Sequence, residues 1–407
     1  MSSPVGIYLS IPFCKAKCSF CNFASDAFGM ERLGAYVDRL CDEIDQTRQN
    51  ADDMGASLER AADTVYFGGG TPSLLSPDHV CQIFSALRRQ FDLSDGAEIT
   101  VECAPGQLNA ETLEAFQRQG VNRISLGVQS FVDREARAVG RLHTGAECEV
   151  EIARLQRAGI ERTGIDLIVG LPHQTEASWR ESLERAMESG VGHVSVYMLE
   201  VDEESRLGRE ALAGGVRYGA GELPSDDQVA GWYELGCELL NAGELRQYEI
   251  SNFARAGHVS RHNAKYWQRL PYIGFGLDAH SMLCTDDGAI RFQNADELPL
   301  YMARPSDDLF PLAGALSARP EIERVSTDAA FEEALFLGLR MVEGMRLSRL
   351  RSEFGEARVA SVMSSIREIC NAGLMRMDVD VLRLTTRGRM VSNEVFSRLL
   401  IADPAEV

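Results

Sequence analysis

The chain has 407 residues, 45% of them apolar, enough for one large domain with a buried core and a smaller one beside it. Lys and Arg number 41 against 61 Asp and Glu, a net charge of −20, so most of the surface repels nucleic acid and anionic lipid. No apolar run reaches the roughly 18 residues of a membrane span. The opening MSSPVGIYLSIPF lacks the basic start and cleavage site of a secretory signal, so a cytoplasmic location is expected.

Short apolar, β-branched runs recur through the first half, at 6–13, 63–70, 98–105, 123–130, 164–172 and 193–201. Between them lie helical segments rich in Ala, Leu, Glu and Arg, such as 111–120 and 149–159, several ending in Gly. Alternating strand and helix predicts parallel βαβ units, and near-continuous apolar strands predict a sheet covered on both faces. Each strand ends in Cys, Gly, Pro, Glu, Gln or Asp rather than ordinary turn residues. In α/β barrels the chemistry collects at the C-terminal strand ends. The expected fold is therefore α/β, a partial (β/α)6 TIM-like barrel, spanning residues 1–235.

The first strand runs straight into CKAKCSFCNF, which places Cys14, Cys18 and Cys21 in a C-x3-C-x2-C loop. A zinc ribbon would pair this with a second C-x2-C, and none exists. The other seven cysteines have no regular partner spacing, and a disulfide does not suit a reducing compartment. Three thiolates in one loop suit a [4Fe–4S] cluster with its fourth iron open to a non-protein ligand. Two of the three lysines, Lys15 and Lys17, lie in this loop, where cations favour thiolates.

Further polar residues mark the later strand ends. Gly68, Gly69 and Gly70 precede Thr71, with a tight structural turn as the alternative to a ligand edge. Glu102, Gln129 and Asp166 are poor core residues unless partnered. Arg141 has the planar fork to clamp a carboxylate, although a lone Arg is more often a surface residue.

From about 225 the pattern changes. Residues 225–243 read as an amphipathic helix, followed by a polar and aromatic run. Residues 236–310 are read as a connecting segment. Residues 311–407 are read as a smaller α+β domain of two or three helices and a hairpin at 378–388, similar to a winged helix. Residues 340–400 hold 11 Arg and 7 acidic residues, an excess of only four positive charges, so no nucleic-acid partner is expected.

The cysteine spacing is the signature of the radical S-adenosylmethionine (SAM) superfamily. The words YLSIPFCKAKCSFCNF, YFGGGTPSLL, NRISLGVQSF, GRLHT, GIDLIVGLPHQT and YEISNFA resemble its coproporphyrinogen dehydrogenase branch over about residues 5–400. The resemblance implies that the open iron chelates the methionine end of SAM and that electron transfer releases a 5′-deoxyadenosyl radical. It also implies SAM contacts at Tyr8, Phe20, Gly69, Gly70, Thr71, Glu102, Gln129, Arg141 and Asp166.

Two classes compete within the branch: oxygen-independent coproporphyrinogen III oxidases and haem chaperones of the HemW type. The oxidase motif carries a further cysteine where this chain has Phe23, and an N-terminal arm before its first strand. RHNAKYW at 261–267 resembles the chaperones' haem motif, which implies haem contacts at His262, Asn263, Tyr266 and Trp267. If this segment is helical, His262 and Tyr266 share a face. An aromatic core anchor under a surface turn is the bland alternative. A third class, a radical enzyme acting on haem, would keep both motifs.

The chaperone reading is preferred and leaves no residue, His280 included, with a catalytic role. It calls for haem, a haem-acceptor apoprotein and an electron donor for the cluster. A peripheral membrane contact and a homodimer stay open. Asn22 stands where the family has Asp, and Leu277–Asp278 where it has Pro-Gly.

Overall fold

The computed structural model describes residues 3–303 and 322–400. Six parallel strands run in sequence order: β1 (Val5–Ile11), β2 (Ala61–Gly69), β3 (Asp92–Cys103), β4 (Arg123–Gln129), β5 (Arg162–Val169) and β6 (His193–Met198). Each apolar run thus becomes a strand close to its expected limits, except that β3 begins at Asp92, ahead of the expected 98. The helices between them bury their apolar stripes on the outer face, where Ile7, Leu9, Ile11, Val65, Phe67, Val101, Ile124, Leu126, Ile165 and Leu167 meet them. Period-two alternation sends the other set, including Tyr8, Tyr66, Glu102 and Asp166, to the inner face.

Helix starts are fixed by side chains. Ser76, Asn109, Thr144, Thr175 and Ser225 each accept a hydrogen bond from the third residue of the following helix, satisfying donors that helix geometry leaves unpaired.

The sheet extends beyond the six strands and does not close. β7 (Arg246–Gln247) and β8 (Asn252–Ala254) continue it antiparallel beyond β6. β9 (Tyr272–Phe275) runs parallel to β1, and β10 (His280–Thr285), β11 (Gly288–Gln293) and β12 (Glu323–Val325) follow antiparallel. The segment expected as a connection therefore contributes sheet edges on both sides. Of its strands, β7, β8 and β9 are only two, three and four residues long, too short to show in the sequence pattern.

Helices at Thr327–Arg340, Leu347–Phe354 and Glu356–Asn371 enclose a second core around Phe331, Leu335, Val359, Ile366 and Leu382. The hairpin pairs Met375–Asp378 with Val381–Leu384, and Thr386–Met390 is helical. It thus starts earlier than the 378–388 read from the sequence, because Val379–Asp380 form the turn. The boundary placed at 310/311 lies outside the described residues.

Candidate cofactor cavity at the strand ends

The cysteine loop leaves β1 and folds over the C-terminal strand ends, closing a cavity of about 370 Å³. Cys14, Cys18, Phe20, Cys21, Gly69, Gly70, Thr71, Glu102, Gln129, Arg141 and Asp166 all line it. Residues from six separate stretches of sequence therefore meet in one place. Tyr8 lies just outside, in a smaller adjoining pocket with Ser10, Gly69 and Asp278.

The loop is anchored by backbone. Gly70 N–H donates to Ile11 O at 3.0 Å and Thr71 N–H to Phe13 O at 2.8 Å, while Thr71 Oγ1 lies 3.6 Å from Cys14 Sγ. A Cβ on Gly70 would stand 2.7 Å from Ile11 O and 2.8 Å from Pro12 C, so only glycine permits this approach. Gly69 has φ +95°, a second reason for the glycine run. On the far wall, Asn22 Nδ2 donates to Asp202 Oδ2 at 3.3 Å and Leu207 N–H to Ser19 O at 2.8 Å, tying the loop to the segment after β6.

No three His, Cys, Asp or Glu among the described residues are arranged to hold a single metal ion. One tetrahedral zinc would need sulfurs within about 4 Å of each other. Three thiols spread around one cavity fit a cluster in which each sulfur meets its own iron. Burial pushes the Cys14 and Cys21 thiols up, and Lys17 only partly opposes this at Cys21. Desolvation therefore outweighs the cationic neighbours expected to favour thiolates. Arg141 Nη1 lies 3.3 Å from Cys18 Sγ and its Nη2 donates to Gly127 O, which leaves its buried Nε without a partner. A half-buried guanidinium with an unpartnered Nε beside the thiols suits an anionic ligand.

Two carboxyl groups lie deeper. Tyr66 donates to Glu102 Oε1 at 2.7 Å, and burial, reinforced by Asp166, raises the Glu102 carboxyl to about 7. Burial also raises Asp166, although Ser125 donates to it at 3.3 Å. Tyr66, Ser125 and Tyr197 were not singled out from the sequence. Tyr66 was legible in retrospect, since strand alternation puts it on the same face as Gly68.

The haem motif lies elsewhere. Arg261–Trp267 is a helix, as the i, i+4 reading required, but it packs across the N-terminal strand ends, opposite the cysteine loop. Lys265 Nζ donates to Pro4 O at 2.8 Å and pairs with Asp63 at 2.7 Å. His262 is 1% exposed. Its backbone N–H donates to Glu98, its Nδ1 is 2.9 Å from Thr64 Oγ1, and its Nε2 is 2.8 Å from Tyr266 Oη. The ring stacks on Tyr66 at 5.2 Å. Burial holds the imidazole near 3, hence neutral, and both nitrogens are engaged inside the protein. Asn263, at the third helical position, donates its backbone N–H to the Ser260 cap, while Trp267 lies under the Arg340 guanidinium at 4.3 Å. The structure therefore gathers the cluster and SAM candidates in one cavity that the haem motif does not line; His262 lies behind it, against Tyr66.

Comparison with known proteins agrees with this architecture. Residues 8–186 match the radical SAM superfamily, and residues 325–391 match the HemN C-terminal domain. The Escherichia coli coproporphyrinogen III oxidase HemN superposes with a TM-score of 0.78 at 21% identity, covering 98% of this chain and 90% of that one. The fold and the cysteine loop define a radical SAM protein, a class built on a [4Fe–4S] cluster and SAM. Sequence relatives narrow this. "Heme chaperone HemW" of Lactococcus lactis is 31% identical over 99% of both chains, and that of Bacillus subtilis is 30% identical over 97% of this chain and 98% of its own. The Escherichia coli HemW is 34% identical over 70% of this chain and 72% of its own. The chain belongs to the HemW family.

Proposed function

We propose that this protein is a haem carrier, binding haem and passing it unaltered to an acceptor apoprotein, on a radical SAM scaffold. The likeness to HemW proteins along essentially the whole of both chains carries this reading. The likeness to the oxidase, at 21% identity, speaks for fold alone. Phe23, where the oxidase motif has a further cysteine, is 63% exposed at the cavity mouth and supplies no metal ligand.

Cys14, Cys18 and Cys21 would each hold one iron, and Phe20, Gly69, Gly70, Thr71, Glu102, Gln129, Arg141 and Asp166 would line the SAM space, with Tyr8 just outside it. When bound, the cluster and SAM supply one-electron chemistry at the sulfonium. The residues do the rest by placement. Thr71 contacts Cys14 and Arg141 contacts Cys18, Tyr66 orients Glu102, and Asn22 ties the cysteine loop to Asp202. An electron donor for the cluster is a further partner. No helix among the described residues is long and apolar enough to cross a membrane, and a cytoplasmic location belongs to the same proposal.

Anaerobically reconstituted protein is titrated with haem by its Soret band, and in parallel offered coproporphyrinogen III with SAM and a reductant. Stoichiometric haem uptake without protoporphyrinogen is expected. Turnover to protoporphyrinogen would assign the oxidase instead.

A further inference from the structure

Large apolar side chains are exposed around the mouth of the cysteine cavity, on a chain that otherwise carries a charge of −20. Phe23 is 63% exposed, Leu142 66%, Tyr197 43% and Met198 41%, and all four line the cavity. Leaving this much apolar surface in water is costly, and a contiguous group of such residues ordinarily marks a contact site. They come from three separate places in the sequence: the cysteine loop, the turn after Arg141 and the end of β6. Their meeting at one rim is a property of the fold.

The charges around the rim are unevenly placed. Lys15 and Lys17, two of only three lysines in the chain, lie on the cysteine-loop side. Lys15 is exposed, and Lys17 uses one of its three N–H groups on Phe23 O at 3.1 Å. Glu200 and Asp202 lie on the β6 side, with Asp202 occupied by Asn22 and by the N–H groups of Glu204 and Ser205. A ligand suited to this rim has a flat apolar body and carboxylates at one edge, turned toward the lysines and away from Glu200.

We propose that haem is held at this rim, its ring against Phe23, Leu142 and Met198 and its propionates toward Lys15 and Lys17, rather than on His262. The inference rests on the haem-carrier reading and names its site. Two independent observations support it. The rim offers exposed apolar surface beside cations, whereas His262 is buried, with both ring nitrogens hydrogen-bonded at the opposite end of the strands. Haem could reach His262 only by displacing the helix Arg261–Trp267 from Thr64, Glu98 and Pro4. In this scheme the motif helix plugs the barrel and backs the Tyr66–Glu102 pair.

The test is a haem titration of the cluster-loaded protein and of Phe23→Asp, Leu142→Asp, Lys15→Glu and His262→Gln variants, with cluster absorbance and melting temperature recorded for each. The two Asp variants are expected to weaken haem at least tenfold with the cluster retained. Lys15→Glu is expected to weaken it several-fold, with a smaller response to salt than wild type. His262→Gln, which can keep one internal hydrogen bond, is expected to bind within twofold of wild type. Rim variants that bind haem normally, or loss of binding confined to a well-folded His262→Gln, would overturn the site. Rim variants that bind normally but no longer deliver haem would give the patch to the acceptor protein, which also overturns it. Absence of haem binding by wild type defeats the carrier reading itself, and is thereby distinguishable from a misplaced site.

Discussion

Replacing Glu102 by Gln isolates the electrostatic cost of the cavity floor. The Glu102 carboxyl has its midpoint raised from 4.5 to about 7 by burial and by Asp166, against the opposing hydrogen bonds from Tyr66 and the Gly69 N–H. Below pH 4.5 it is protonated both folded and unfolded and contributes no pH dependence. Between 4.5 and 7 the unfolded chain loses this proton while the folded chain keeps it. The folded state therefore binds more protons, and stability falls as pH rises across that window, levelling above 7. The difference between 4.5 and about 7 corresponds to roughly 3 kcal/mol at most, since Glu102 borders the cavity and solvent screens part of it. Gln keeps an acceptor for Tyr66 and cannot ionise. In cofactor-free protein, urea-unfolding curves of wild type and variant at pH 5, 6, 7 and 8 should diverge, the variant gaining up to about 3 kcal/mol relative to wild type as pH rises. A stability difference that stays constant from pH 5 to 8 would refute the buried, proton-retaining Glu102.

Three further outcomes follow from other parts of the structure. Cys18→Ser should abolish the reconstituted iron–sulfur absorbance, and a full cluster in that variant would remove Cys18 from the ligand set. Gly70→Ala must push its Cβ against the backbone of Ile11, Pro12 and Phe13. It should lower the melting temperature by several degrees, as overpacking of about 1–3 kcal/mol does, and reduce cluster occupancy; unchanged values would show that the loop yields freely. His262 is held near 3 and neutral. The unfolded chain takes up its proton below about pH 6.5, so this residue's contribution is lost as pH falls from 6.5 toward 3. His262→Gln should flatten that acid limb, and an identical acid profile would contradict the burial.

Much of the site was readable from sequence because its elements are local. The C-x3-C-x2-C spacing, the glycine run and the strand-end acids each announce themselves within a few residues, and parallel βαβ order then brings them to one end. What was not readable depends on distant pairing. Residues 272–293 join the sheet beside β1 through pairs such as Tyr8 with Gly274, which no local pattern reveals. The position of His262 is of the same kind. A helical motif with an aromatic partner four residues on has one sequence signature whether it faces solvent or plugs a barrel. Only the partners Thr64 and Glu98, each more than 160 residues earlier, decide it. The rim is not legible in sequence because Phe23 draws notice there only as the place of an absent cysteine, Leu142 and Met198 are unremarkable singly, and the three meet only in the fold.

The carrier reading is tested most directly by delivery. Haem-loaded, cluster-containing protein is mixed with a haem-free acceptor apoprotein of distinct Soret maximum, and the porphyrin recovered from the acceptor is weighed by mass spectrometry. The account requires the Soret band to move to the acceptor with the haem mass unchanged and without consumption of SAM. Recovery of a modified porphyrin, or of haem still held by a protein that instead converts coproporphyrinogen, would contradict it.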